Sequence, residues 1–332
     1  RNTKDFLYGL PVASLSGFLG SDVNIGNVRN TGFEFELGYN TRVGRDLNLS
    51  FSGNITTIKN RLVALAPGVE QFAEGAGYRT AVGMPIGYFY GYKAIGIYQN
   101  AAEAAAALPD ASASGNNRPR PGDVRFEDNN SPLVGDPNGK MFSGQPDGSV
   151  TPADRTYLGK TIPDFFYGLS INGNYKAFDL SVLFQGVGGV QAYNALRQER
   201  EGLGGGGRNV LATTLNRWKG EGTSNTMPRA IAGDPAANNR FSSRWIEDAS
   251  FFRLRNVQLG YALPQSLLAK TRTFRSARIY LAASNLFVIT DYTGFDPEVM
   301  TFGQAAFQTG AGTDRGSTPQ PRTYQVGFQV NF

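Results

Sequence analysis

Long runs of strict apolar–polar alternation constrain this chain more than any other feature. Phe33, Phe35, Leu37 and Tyr39 share one face of a run whose other face is Glu34, Glu36, Gly38 and Asn40. After the turn Val43-Gly44-Arg45-Asp46, Leu47, Leu49, Phe51 and Ile55 stand opposite Asn48, Ser50, Ser52, Asn54 and Thr56. The pattern returns in Tyr167, Leu169, Ile171 and Tyr175, in Phe178, Leu180, Val182 and Phe184, and in Val257, Leu259 and Tyr261. It closes the chain with Tyr324, Val326, Phe328, Val330 and Phe332 against Gln325, Gly327, Gln329 and Asn331. A period of two puts successive side chains on opposite faces of a strand, whereas a helix would need a period of 3.6.

Roughly ten strands are expected, near 4–10, 28–42, 47–58, 73–82, 88–98, 163–175, 178–187, 249–263, 274–287 and 321–332. Many run to about ten residues, the length a tilted strand needs to cross a bilayer. Short connections at 43–46, 83–87, 176–177 and 264–273 alternate with long ones at 59–72, 99–162, 188–248 and 288–320. A transmembrane barrel has this asymmetry, with apolar residues outward and polar or glycine residues toward the lumen. A soluble barrel would show the same alternation reversed. The loop asymmetry and the Asn/Ser/Gln/Gly-rich second face favour the membrane. The aromatics are expected on the lipid face and in its two girdles; Tyr88, Phe89, Tyr90 and Tyr92 populate both faces of their strand, the lipid-side members forming a girdle. The glycines are expected on the lumen face and in turns.

Composition narrows the chemistry. The 332 residues include no His and no Cys, which excludes a Ser-His-Asp triad, a thiolate nucleophile, imidazole or thiolate zinc sites and disulfides. The carboxylates Glu34 and Glu36 are neighbours on one strand face and fit a solvated channel wall better than a glycosidase pair. The net charge of +5 is spread without a basic run, so no nucleic-acid partner is expected. No apolar stretch approaches the ~18 residues of a membrane helix. The chain opens on Arg1 with no signal peptide, as expected of a processed or partial polypeptide. Residues 101–107, Ala-Ala-Glu-Ala-Ala-Ala-Ala, read as a short helix on the long outer loop.

Several segments, in order and spacing, resemble a known family. They are Asn27-Val28-Arg29-Asn30-Thr31-Gly32-Phe33-Glu34, Gly87-Tyr88-Phe89-Tyr90-Gly91-Tyr92 and Gly96-Ile97-Tyr98. Pro121-Gly122-Asp123-Val124, residues 147–155, 159–168 and 251–261, Ser284-Asn285-Leu286-Phe287, Gly294-Phe295-Asp296-Pro297-Glu298 and 324–332 continue the series. Together these resemble the C-terminal part of the SusC/RagA-type TonB-dependent transporters of Bacteroidota outer membranes. The resemblance implies an all-β transmembrane antiparallel barrel, 22-stranded in that family, of which residues 1–332 are the C-terminal portion. The plug and first barrel strands are absent. It further implies import of a glycan oligomer or oligopeptide with a SusD-like surface lipoprotein as lid. Energy would come from the TonB complex, through the missing N-terminal part. The expected setting is the outer membrane, C-terminus periplasmic and residues 99–162 forming a long outer loop. The alternative is a passive porin or structural barrel. No catalytic role and no required cofactor are expected.

Three groups of residues are candidates for a function. Trp218, Trp245, Tyr292 and Phe295 in the long loops could stack on sugars or grip peptide side chains, or equally anchor a loop core. Arg253 could meet an acidic substrate group or form a rim ion pair. Asp147, the Ser149 carbonyl and Asp154, with Gly148 at the sharp turn, fit later positions of a calcium loop. Asp128 and Asn130 could fold back to supply its first half, across an apparent insertion at 131–146. Any calcium there would be structural. Tyr324, Val326, Phe328, Val330 and Phe332 form a lipid-facing strand. They also resemble the C-terminal signal read by the barrel-assembly machinery during biogenesis.

Overall fold

The computed structural model describes residues 1–10, 21–65, 71–73, 77–113, 118–130, 144–205, 207–269, 273–299 and 311–332. Its largest unit is an antiparallel sheet whose path joins seven strands. They are Glu34–Val43, Leu47–Thr57, Phe165–Tyr175, Phe178–Gly188, Phe251–Ala262, Ser276–Ser284 and Thr323–Asn331. Each pairs with its neighbour in chain order, an up-and-down wall. Tight connections close one end. Val43 pairs with Leu47 around Gly44 at φ 65°, and Tyr175 with Phe178 around Lys176 at φ 52°.

Three of the expected strands lie elsewhere. Asn2–Leu10 pairs with Ser21–Thr31 in a separate sheet that continues the first hairpin beyond the wall. The segments near 73–82 and 88–98 are short strands, Tyr78–Ala81, Tyr88–Gly91 and Ala94–Ile97, folded into a layer at the loop end. The connection 83–87 is therefore no wall turn, and the excursion runs from Thr57 to Phe165 without re-entering the wall. The expected girdle members Tyr88, Phe89 and Tyr92 are buried inside this layer. Alternating aromatics read the same whether their face meets lipid or a loop core, so periodicity alone misplaced them.

Among the described residues no second layer packs against the apolar face of the wall. Leu37 is 62% exposed, Leu281 56% and Phe328 72%, whereas Trp245 in the loop layer is 0% exposed. Of the wall strands, only Phe251 and Leu254 are among the buried apolar side chains described. A bare apolar face of this extent needs an apolar medium, which decides against the inverted pattern of a soluble barrel. Aromatic rings edge it in two rows. Toward the loop end, Phe252 stacks on Phe184 at 5.2 Å and on Tyr167 at 6.2 Å, with Phe165 beside Tyr167. At the turn end, Phe178 meets Tyr261 at 4.8 Å and Phe274 meets Phe332 at 5.4 Å. Tyr167 and Tyr175 share the Phe165–Tyr175 strand eight residues apart, ~26 Å along the strand at ~3.3 Å per residue and ~20 Å along the membrane normal at a tilt of ~40°, near the ~25 Å height of such an apolar band.

Glycine does not keep to the polar face. Gly38, Gly168, Gly260 and Gly327 do, but Gly53, Gly173, Gly186 and Gly188 sit in register on the apolar face. There the Tyr167 ring lies where a Gly186 Cβ would be, within 2.2 Å, and Phe165 covers Gly188 likewise. The missing side chain makes room for a neighbouring ring, which repairs the hydrophobic surface.

Candidate functional site

The chemistry-bearing side chains gather in the loop layer, where the buried core also sits. Phe241 fills the space left by Gly77 and Gly91 and packs among Tyr78, Phe89 and Tyr193. This ties the 58–164 excursion to the 189–250 loop. Burial pushes the Tyr78 phenol up to about 12. The short strand Gln191–Asn194 pairs with Ile246–Asp248 on one side and with Thr313–Asp314 on the other, bringing in the last loop. Helix Ala101–Ala105 forms where expected, Asn100 capping it through the Glu103 N–H at 3.0 Å.

Buried ion pairs lock these segments together. Asp123 is 0% exposed and accepts from Arg229 Nε at 2.8 Å and Nη2 at 3.0 Å, Asn238 Nδ2 at 3.0 Å and the Arg120 N–H at 2.8 Å. Asp110 takes both Arg240 amino groups, and that guanidinium lies 4.1 Å from the Phe126 ring centre and 5.0 Å from Tyr92. Bidentate geometry with a ring face satisfies a charge that burial alone would penalise. Pattern reading missed Asp110, Asp123, Arg229 and Arg240, because the partners are more than 100 residues apart.

The substrate-contact candidates separate on burial. Trp245 is fully buried, donates Nε1–H to the Arg240 carbonyl at 3.1 Å and lies between the Arg197 and Arg244 guanidiniums. Burial, with Arg197's like charge, pushes Arg244 down to about 10. Tyr292 is buried and donates to Asp314 at 2.7 Å, and Asp314 also accepts the Gly316 and Ser317 N–H groups. Burial and the Asp314 carboxylate both raise the Tyr292 pKa. Trp218 packs its ring over Gly122. Trp245 and Tyr292 are thus built into the loop core, and Trp218 is half-buried.

Arg253 is also buried. A bulge at Arg255, opposite Leu183 and Phe184, re-aims this end of the Phe251–Ala262 strand. Arg253 then pairs with Asp296 at 2.5 Å and Arg255 with Glu298, so both serve a rim clasp. Burial would raise the Asp296 carboxyl. The Gln320 and Glu298 N–H groups and Arg253 together outweigh it and hold the group below its usual range.

Phe295 is the most exposed of the five, at 63%. Gly294 lies against the Tyr292 ring, where a Cβ would clash at 2.3 Å, and Phe295 then reaches the rim of a cavity of about 370 Å³. Leu196, Leu211 and Met227 supply most of its apolar lining.

Asp128 does fold back on the 147–154 segment. Its carboxylate accepts the Asp147 N–H at 3.1 Å and the Gly148 N–H at 2.8 Å. Asp154 accepts the Asn129, Asn130 and Thr151 N–H groups at 2.6–2.9 Å, capping the short 3-10 turn Pro152–Asp154. Asp147 bonds Ser149 through its N–H and hydroxyl, both at 3.0 Å. The oxygens a calcium ion would take thus face N–H donors. Among the described residues no three acidic groups gather closely enough to hold a metal. Asp128 and Asp154 gather Asn129, Asn130, Asp147 and Gly148 into one turn held by N–H donors. Residues 131–143 of the apparent insertion lie outside the described residues.

Tyr324, Val326, Phe328, Val330 and Phe332 are on or beside the last strand, which pairs with Ser276–Ser284 on one side and, among the described residues, with nothing on the other. Tyr324, Phe328 and Phe332 are each more than 70% exposed.

No family model matches the chain. Curated relatives do. It is 33% identical over 343 residues to the TonB-dependent receptor P3 of Formosa agariphila, covering 99% of this chain and 31% of that protein. It is 24% identical to the TonB-dependent receptor SusC of Bacteroides thetaiotaomicron, covering 100% and 29%. A solved structure of the RagAB peptide transporter superposes with a TM-score of 0.77 at 25% identity, over 100% of this chain and 32% of that one. The relatives are named as receptors and transporters, not enzymes. The chain spans about a third of their length. With its up-and-down wall, bare apolar face and folded loop layer, the chain is similar along its whole length to a barrel portion of the SusC/RagA-type TonB-dependent receptors.

Proposed function

We propose that this chain forms part of the wall and outer loops of an outer-membrane importer for a glycan oligomer or an oligopeptide. The observation that carries the proposal is the combination of a lipid-suited wall with a loop layer locked by buried ion pairs, in a chain like TonB-dependent receptors along its full length. A passive pore needs no such rigid layer. An importer that must present a cargo to a lid and a plug does. In this reading the loop end faces outward and the C-terminus the periplasm. A SusD-like lipoprotein covers the loops, TonB acts through the missing N-terminal part, and the assembly machinery captures the open Thr323–Asn331 edge.

The test is nutrient uptake by cells carrying the full-length receptor, with and without functional TonB, and co-purification of a lipoprotein. The expected result is uptake that requires TonB and a lipoprotein retained on the receptor. Uptake that persists without TonB, with steady ion conductance in planar bilayers, would establish a passive pore instead.

A further inference from the structure

The cavity of about 370 Å³ beside Phe295 has no role in what precedes, and its lining specifies what it can hold. Helix Ala195–Glu201, the 211–216 segment, Met227 and residues 293–295 enclose it, standing at the loop end of the wall. Its volume lies at the small end of the about 300–1,000 Å³ usual for ligand pockets, enough for one aromatic or branched aliphatic side chain with adjoining backbone.

Five of the seven polar side chains that line it, Asn194, Arg197, Glu201, Thr213 and Thr293, are already engaged with one another or with Glu247, while Asn216 and Thr226 stand at its exposed rim. Glu201 takes Arg197 Nε at 2.9 Å on one oxygen and the Thr213 hydroxyl at 2.5 Å on the other. Glu247 takes Arg197 Nη1 at 2.9 Å, Asn194 Nδ2 at 3.1 Å and the Thr293 hydroxyl at 2.7 Å. Asn194 Oδ1 caps the helix at the Arg197 N–H, 2.8 Å away. A sugar ring entering here would desolvate several hydroxyls with only the rim side chains of Asn216 and Thr226 to answer them, which is unfavourable for each hydroxyl left without a bond. An apolar side chain asks for none of those bonds and gains contact with Leu196, Leu211, Met227 and Phe295. Met227 adds an adaptable wall, suited to more than one side-chain shape.

We infer that this cavity is a specificity pocket for one apolar side chain, aromatic or branched aliphatic, of a peptide cargo. The inference rests on the import reading above and selects the peptide branch of it.

The experiment is titration calorimetry on the full-length receptor with its lid. The probes are Gly-Ser peptides of one length carrying a single Phe, Leu or Ser at the same position, with maltohexaose as the glycan. The Phe and Leu peptides should bind at least tenfold more tightly than the Ser peptide, and maltohexaose no better than the Ser peptide. Leu211→Trp fills the cavity from its half-exposed rim and should abolish that preference. Leu215→Trp, on an exposed position outside the lining, should leave it intact. Equal binding of the Phe and Ser peptides would overturn the pocket, as would a preference that survives Leu211→Trp. Loss of the lid with peptide preference unchanged in Leu211→Trp would show that the lid, and not cargo, occupies the site. These titrations need no energy source, so TonB-independent uptake would sink the import reading separately.

Discussion

Asp123 is the side chain whose removal should do most to the loop layer. It is fully buried and accepts four hydrogen bonds, two of them from the Arg229 guanidinium. Asp123→Ala leaves Asn238, itself buried, and the Arg120 N–H without their acceptor. It also leaves a guanidinium with a side chain about one-fifth exposed. Breaking a buried ion pair from one side costs about 3–5 kcal/mol. Water can reach part of Arg229, so the lower end, about 3 kcal/mol, is the expected figure. The wall does not depend on this pair, so the loss should appear as local opening and not as unfolding of the barrel. Hydrogen exchange of the full-length receptor in detergent, followed in peptides covering 95–126 and 225–240, reads it directly. At ~1.4 kcal/mol per tenfold, protection there should fall by roughly a hundredfold, with wall peptides unchanged. Adding Arg229→Met should restore part of the loss, since an apolar replacement removes the stranded charge. Protection within tenfold of the parent would refute the reasoning. So would a double variant whose loss is the sum of the two singles.

Other consequences are open to measurement. Tyr292→Phe strands a buried Asp314 oxygen and should cost about 1–3 kcal/mol of local stability, seen as faster exchange around 311–317; unchanged exchange would remove the bond's importance. Asp296 has a folded pKa below its unfolded one, so its clasp with Arg253 contributes fully above the ordinary aspartate range. That contribution fades as pH falls through the depressed value, and the loop should begin to open only in acid, while opening near neutral pH would contradict the pairing. Leu281→Arg, in register with Leu259 and Val326 on the lipid-facing side, should destabilise the inserted barrel by about 2–4 kcal/mol near the bilayer midplane. Gln258→Arg on the opposite face of the adjoining strand should be tolerated, and equal effects in refolding titrations would argue against the assigned faces. Chelation by EDTA should leave exchange at 147–154 unaltered, whereas Asp154→Ala should accelerate it; a chelator-sensitive loop would restore the cation.

Several features were legible before any fold was known. The alternation at 33–40, 47–56 and 324–332 fixes strand type and the two faces, because a period of two has only one backbone solution. The absent His and Cys exclude whole classes of chemistry whatever the fold. The short helix within 101–107 and the 43–46 turn are equally local, and both form as expected. Periodicity says which side chains share a face and nothing about what that face meets. Tyr167 and Tyr88 carry the same signal, yet one edges the lipid band and the other is buried in the loop layer. Only the partners far along the chain distinguish them. The same holds for Trp245, closed in by two arginines, and for Arg253, re-aimed by a bulge toward Asp296. Asp123 finds Arg229 across a separation no local pattern encodes. Local sequence thus set the strands and their two faces through backbone sterics and side-chain period. Long-range packing decided which aromatic, charged and apolar residues became wall, anchor or pocket, because burial and ion pairing depend on the whole chain's path.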